Sequence, residues 1–172
     1  ELAMMSFIMW MTGRPCSGKT TIARQLEKSI PNLAVLDGDE LYKWLGTYEF
    51  SREARIAQNK RVAHLAKLLM KHDVPVCVSM ISPYNETRIN AKKIINSEYF
   101  YQIYVKCDFQ ECEKRDVKGM YKQAKEGKIK NFTGIDDIFE EPTNPDLILD
   151  TQVDTIDNSI KKIMLFIKEQ KK

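Results

Sequence analysis

The sequence predicts an α/β fold of the P-loop NTPase type: a parallel β-sheet of about five strands flanked by helices, with a mobile basic lid. Three observations carry that expectation. Short apolar runs alternate with stretches of helical periodicity, a GxxxxGK[ST] motif joins the first apolar run to the first helical stretch, and one long polar segment interrupts the alternation.

The apolar runs at residues 7–11, 33–36, 74–79, 100–105 and 147–149 are of strand length and predict buried, parallel strands. Between them, residues 19–30 place Ile22, Ala23, Leu26 and Ile30 on one helical face, and residues 53–71 do the same with Ile56, Val62, Leu65, Leu68 and Leu69. A shorter helix is expected over 87–95, and a last one over 155–168 with Ile156, Ile160, Ile163 and Ile167 aligned. Residues 116–144 fit neither period. They are polar, basic and interrupted by Gly119, Gly127, Gly134 and Pro142, as a lid would be; a disordered linker has the same composition.

Composition bounds the function. A chain of 172 residues, 43% hydrophobic and 30% charged, supports one domain with a substantial core. Its 27 basic and 24 acidic residues leave a net charge of +3, which gives no sign of a nucleic-acid binder. No apolar run approaches the roughly 18 residues of a membrane span. Cys16, Cys77, Cys107 and Cys112 form no CxxC pair and have no zinc-ligand spacing, so free thiols in a reducing, cytoplasmic compartment are expected. Residues 1–4 read as a cloning remnant around a native start at Met4 or Met5, leaving 5–172 as a single domain.

The strongest chemical signal is Gly13-Arg14-Pro15-Cys16-Ser17-Gly18-Lys19-Thr20, placed between a strand and a helix as a phosphate-binding loop requires. Glycines let the backbone fold around a phosphate chain, the helix N-terminus favours its charge, Lys19 reaches the terminal phosphates of ATP, and Thr20 is a candidate Mg2+ ligand. Guanine recognition through NKxD is absent, and the run at 74–79 lacks the terminal carboxylate of a motor ATPase. Instead Leu36-Asp37-Gly38-Asp39 sets two carboxylates at the end of the second strand, facing the phosphate crevice. One, by spacing Asp39, would take the acceptor's hydroxyl proton; the other would hold a Mg2+ water. Thr20 and Asp39 are the candidate metal residues, Lys19, Asp37 and Asp39 the candidate catalytic ones, and the division of labour between the two aspartates stays open. An Asp-Gly turn without chemistry has the same letters.

These motifs, together with Phe50-Ser51, Arg55 and Arg61, Ile81-Ser82-Pro83-Tyr84 with Arg88, Arg115-Asp116-Val117-Lys118-Gly119-Met120-Tyr121, Phe132-Thr133-Gly134-Ile135-Asp136, and Leu149-Asp150-Thr151, make the chain resemble the adenylylsulfate kinases over nearly its whole length. The resemblance implies transfer of the terminal phosphate of ATP to the ribose 3'-hydroxyl of adenosine 5'-phosphosulfate. It also implies that Phe50 and Phe132 sandwich the acceptor base, that Arg55 and Lys118 engage its anionic groups, that Ile81 and Ser82 line its site, and that Arg115 and Thr151 lie over ATP. The family often forms homodimers.

The chain departs from the family pattern on the acceptor side. Tyr42 stands where most members carry an arginine, Gln58 where they carry asparagine, and one residue is missing before Phe50. Losing an arginine removes a fixed charge and a bidentate donor, which Lys43 would not simply restore. The same 3'-kinase reaction on cytidine diphosphoramidate is therefore a second reading, because aromatic stacking accepts either base. A nucleotide-binding regulator without turnover is a third.

Overall fold

The computed structural model describes residues 6–45 and 49–170; the expected remnant at residues 1–4 lies outside them. The chain runs β1 (Ile8–Thr12), α1 (Lys19–Ser29), β2 (Ala34–Asp37), α2 (Gly38–Leu45), α3 (Arg52–Lys71), β3 (Val76–Ser79), α4 (Asn85–Ile95), β4 (Phe100–Lys106), α5 (Phe109–Arg115), α6 (Met120–Lys125), β5 (Leu147–Asp150) and α7 (Ile156–Glu169). All strand pairs are parallel, in the order β2-β3-β1-β4-β5. The expected five-stranded parallel sheet with helices on it is what forms.

Strand β1 explains the layering. Every residue of Ile-Met-Trp-Met-Thr is buried, as in a central strand covered on both faces. Because successive side chains alternate, Met9 and Met11 enter one apolar cluster with Ile22, Leu26 and Ile163, beneath α1 and α7. Ile8 and Trp10 enter the opposite cluster with Val62, Ala66, Ala91 and Ile95, beneath α3 and α4. Helix α3 starts at Ser51, whose hydroxyl accepts the Ala54 amide at 3.3 Å, and α7 starts at Thr155, which accepts from Asn158 at 3.2 Å.

Three helices were not expected from periodicity. Helix α2 begins at Gly38, where the Asp-Gly-Asp letters suggested a strand end or turn, with Asp39 and Glu40 in the first turn where their charge suits the helix dipole. Helices α5 and α6 span 7 and 6 residues, too short to show a period. The α6 N-terminus is held by Asp116, whose carboxylate accepts the Tyr121 and Lys122 amides at 3.0 and 3.2 Å.

The polar segment 116–144 is also more built than its composition suggests. Tyr121, Ala124 and Phe132 are buried in a third cluster with Cys107 and Cys112. Asp136 accepts the Asn131 and Phe132 amides, and the Thr133–Asp137 bridge closes the turn between them. Among the described residues no helix is long and apolar enough to cross a membrane.

Two expectations about the fold can be measured. Leu26→Ala should lower unfolding free energy in urea by about 2–5 kcal/mol, because Leu26 is fully buried, whereas Leu165→Ala at an exposed site should stay within about 0.5 kcal/mol. Cys77, Cys107 and Cys112 are buried and Cys16 is not; burial pushes the Cys77 and Cys112 thiols up to about 12. A raised thiol pKa keeps the unreactive protonated form, so at pH 8 a thiol reagent should label Cys16 in the native protein and all four cysteines after denaturation.

Candidate active site

The loop between β1 and α1 lies at the point where the strand order reverses, next to the carboxyl ends of β3 and β4. Its shape requires Gly13, where a Cβ would fall 2.5 Å from the Val105 carbonyl oxygen, and Gly18, whose φ of 107° is left-handed. The carbonyls of Pro15, Cys16 and Ser17 are held by later parts of the chain. Tyr121 Oη donates to Pro15 at 2.7 Å, Arg115 Nη1 to Cys16 at 3.3 Å and Thr151 Oγ1 to Ser17 at 2.6 Å, while Arg115 Nη2 donates to the Thr151 carbonyl at 2.9 Å. In trans peptides the next amide points the other way, so the Cys16 and Gly18 N–H groups turn to the inner side of the loop. Helix α1 opens without a side-chain cap or a first-turn carboxylate, which leaves its N-terminal partial charge for an anion.

Lys19 lies inside this loop, 8% exposed, with Nζ donating to the Gly13 and Arg14 carbonyls at 2.8 Å each and to Ser17 Oγ at 3.3 Å. Burial pulls its pKa down to about 8, against the opposing pull of nearby Cys112, Cys16 and Asp37. The ammonium thus sits among neutral oxygens, placed to exchange them for phosphate oxygens.

The two aspartates face different partners. Asp37, the last residue of β2, is buried; Oδ2 accepts from Thr20 Oγ1 at 2.8 Å and Oδ1 accepts the Asp39 amide at 3.0 Å. Asp39, in the first turn of α2, forms an ion pair with Lys118 from the 116–144 segment. The carboxylate brought to Thr20 is therefore that of Asp37, while Asp39, named with Thr20 as a candidate metal residue, faces Lys118. The reason is the helix: α2 starts at Gly38 and turns the second carboxylate away from α1 toward α6.

On the acceptor side, Arg55 is 4% exposed rather than on a solvated helix face. Its Nε donates to the Phe50 carbonyl at 3.0 Å, Nη1 to Thr133 Oγ1 at 2.9 Å and Nη2 to the Asn131 carbonyl at 2.7 Å, with Asp137 Oδ2 at 3.9 Å. Phe50 rests against Tyr42 at 6.2 Å between ring centres, and Phe132 packs edge-on against Tyr121 at 4.9 Å. Arg55 thus ties the two phenylalanine-bearing segments together with bonds internal to the protein.

A cleft of about 600 Å³ opens beside Tyr42, Ser51, Ala54, Ala57 and Arg61, and a second of about 340 Å³ lies between Phe50 and residues 128–131. Gln58 is buried at the base of α3, its Nε2 without a hydrogen-bond partner and its Oε1 3.5 Å from Arg61 Nη1. Ser82 adopts a φ of 43° and uses its side chain internally, accepting from Trp10 Nε1 at 3.0 Å and donating to Asn59 Oδ1 at 2.7 Å. The neighbouring Ile81 carbonyl accepts from Thr12 Oγ1 at 2.6 Å. Sequence reasoning did not single out Thr12, Asn59 and Asp137 as parts of this site; each is a common polar residue whose partner lies far along the chain.

Comparison with known proteins places this geometry. The adenylylsulphate kinase family profile matches residues 5–150. The adenylyl-sulfate kinase of Thermodesulfovibrio yellowstonii is 40% identical over 172 residues, covering 97% of this chain and 86% of the relative. That of Clostridium acetobutylicum is 38% identical over 169 residues, covering 95% and 84%. Among solved structures, the Mycobacterium tuberculosis APS kinase in complex with AMPPNP and APS superposes with a TM-score of 0.87 at 35% identity, over 95% of this chain and 98% of that one. With a family match across most of its length and a phosphate loop set in a parallel five-stranded sheet, the chain belongs to the adenylyl-sulfate kinase family of P-loop phosphotransferases.

Proposed function

We propose that this protein transfers the terminal phosphate of ATP to the ribose 3'-hydroxyl of adenosine 5'-phosphosulfate, releasing ADP and 3'-phosphoadenosine 5'-phosphosulfate. The observation that carries the proposal is the split between Asp37 and Asp39. The first is bonded to Thr20 at the donor loop, the second is paired with Lys118 on the segment that reaches across from the far side. A phosphoryl acceptor has to enter between those two groups.

The donor would lie on the loop amides and the α1 N-terminus, with Arg115 and Thr151 bracing the loop. Lys19 would give up the Gly13 and Arg14 carbonyls for the β- and γ-phosphate oxygens, where its charge opposes the charge that builds up during transfer. The residues fit Mg2+: a threonine hydroxyl beside one carboxylate, without a cluster of three ligating side chains among the described residues, suits an ion that keeps its waters and phosphate oxygens. Thr20 and Asp37 would hold it, and it would supply charge neutralisation at the phosphates.

Lys118 would leave Asp39 for the anionic end of the acceptor, freeing the Asp39 carboxylate to take the 3'-hydroxyl proton as that oxygen bonds to the γ-phosphorus. The bond from this phosphorus to the bridging oxygen breaks, and ADP carries the electron pair away. Phe50 and Phe132 would bracket the base, Arg55 would hold their segments at a fixed separation, and Gln58 Nε2 would offer the acceptor a donor. Segment 116–144 would act as the lid, carrying Lys118 to the acceptor. The adenylyl-sulfate kinase names of the relatives favour this acceptor over the cytidine diphosphoramidate that Tyr42 and Gln58 had raised.

Purified protein given Mg-ATP with adenosine 5'-phosphosulfate or, separately, cytidine diphosphoramidate should release ADP with a higher kcat/KM for the adenylylsulfate; the reverse preference would transfer the reaction to the cytidine acceptor. Asp39→Asn should lower kcat by about 10²–10⁴-fold while leaving ATP binding in place. Lys19→Ala should suppress transfer as well, through lost charge stabilisation. Near-normal turnover of Asp39→Asn would remove Asp39 from the base role.

A further inference from the structure

Residues 137–141 cross from the Phe132 turn to the edge of the phosphate loop, and Phe139 is their buried centre. Its ring lies against Tyr104, with centroids 6.1 Å apart and planes 23° from parallel. Two guanidinium groups approach the same ring: Arg14 of the phosphate loop at 5.0 Å and Arg88 of α4 at 5.9 Å. The Nε atoms of both arginines are buried without a hydrogen-bond partner, so the ring is a neighbour that can favour their charge where water cannot.

Each arginine holds a different side of the site. The Arg14 carbonyl accepts from Lys19 Nζ, and Arg14 Nη2 lies 3.9 Å from Glu141 Oε1. Arg88 donates to the Ser82 carbonyl, to Asn85 Oδ1 and to the Glu140 carbonyl. The strap is locked to the same loop by the Glu140 amide on the Pro83 carbonyl at 2.8 Å and the Asn85 amide on Glu140 Oε2 at 2.7 Å. The two loops also meet directly, through the Gly13 amide on the Ile81 carbonyl at 3.3 Å and Thr12 Oγ1 on the Ile81 and Ser82 carbonyls at 2.6 and 3.1 Å; Phe139 joins them a second time, through Arg14 and Arg88.

We propose that Phe139 is a positioning residue: by seating Arg14 and Arg88 against one ring, it sets the phosphate loop and the 81–85 loop at the separation that phosphoryl transfer requires. The inference deepens the kinase reading above and rests on it for its kinetic consequence. In-line transfer is sensitive to placement, and a shift of about 1 Å in a reacting group costs on the order of 100-fold in rate.

The test compares wild type with Phe139→Leu, which keeps apolar volume but removes the aromatic face, and with Phe139→Tyr, which keeps the face. Active sites are counted by ADP-binding stoichiometry so that misfolded protein does not enter kcat. Phe139→Leu should lose about 10- to 100-fold in kcat per ADP-binding site with ADP affinity little changed, Phe139→Tyr should recover most of it, and Arg14→Leu added to Phe139→Leu should cost little more. A second readout needs no acceptor. Hydrogen exchange with ADP bound should show slowed exchange at the Asn85 and Glu140 amides in wild type and no slowing there in Phe139→Leu. Unchanged kcat per site, or equal protection in wild type and Phe139→Leu, would overturn the proposal. If wild type releases no ADP with adenosine 5'-phosphosulfate, the function reading fails and the exchange comparison still decides Phe139.

Discussion

Burial of β1 on both faces is the constraint from which the rest of the site hangs. A strand with no exposed side chain must sit between two helical layers, and its backbone amides and carbonyls are taken up by β3 and β4. Its carboxyl end is therefore among the least movable points of the fold. The phosphate loop that continues from it passes so close to the Val105 carbonyl that only glycine fits at residue 13. A loop that must bind a flexible, highly charged chain is built on the stiffest available support, which lowers the ordering needed on binding.

Around that support the protein uses its charges economically in space. Lys19 is kept buried among backbone carbonyls, Asp37 is kept beside Thr20, and Asp39 is neutralised by Lys118 from the opposite segment. The ion pair is exposed, so it is screened and weak compared with what a bound nucleotide offers. Its components are thus available to a substrate. Arg55 and Arg88 are different: both are buried, and each donates to a backbone carbonyl of a distant segment, Arg55 to Asn131 and Arg88 to Glu140, as a strut does. Planar, multiply donating guanidinium groups suit that role better than lysine does.

The sheet was legible because parallel strands buried on both faces leave unbroken apolar runs, and α1 and α7 were legible because each repeats apolar residues on one face; α3 forms where expected, but it buries Val62, Ala63 and Ala66 with the polar Arg55, Gln58 and Asn59 and leaves Leu65 and Leu68 exposed. Boundaries shifted by one or two residues, as at β1, which begins at Ile8 and takes in Thr12. Helices α5 and α6 were not legible; seven and six residues are fewer than two turns. Helix α2 was hidden by an Asp-Gly-Asp string that also spells a turn. In the site, the phosphate loop could be read residue by residue because its chemistry is contiguous in sequence. The roles of Arg55, Ser82 and Phe139 could not, because each meets a partner from a remote part of the chain: Arg55 meets Thr133, 78 positions away, Ser82 meets Trp10, 72 positions away, and Phe139 meets Arg14 of the phosphate loop.

By itself, then, the sequence determined the layer architecture, the phosphate loop and the family, all of which depend on local spacing and side-chain type. Only the tertiary structure decided which aspartate meets Thr20 and which meets Lys118, that Arg55 is a buried strut, and that Phe139 joins two loops of the site. Those outcomes depend on the direction in which α2 leaves β2 and on how segment 116–144 folds back over β4. Direction and return path are set by packing between layers, and no local pattern of residues encodes them.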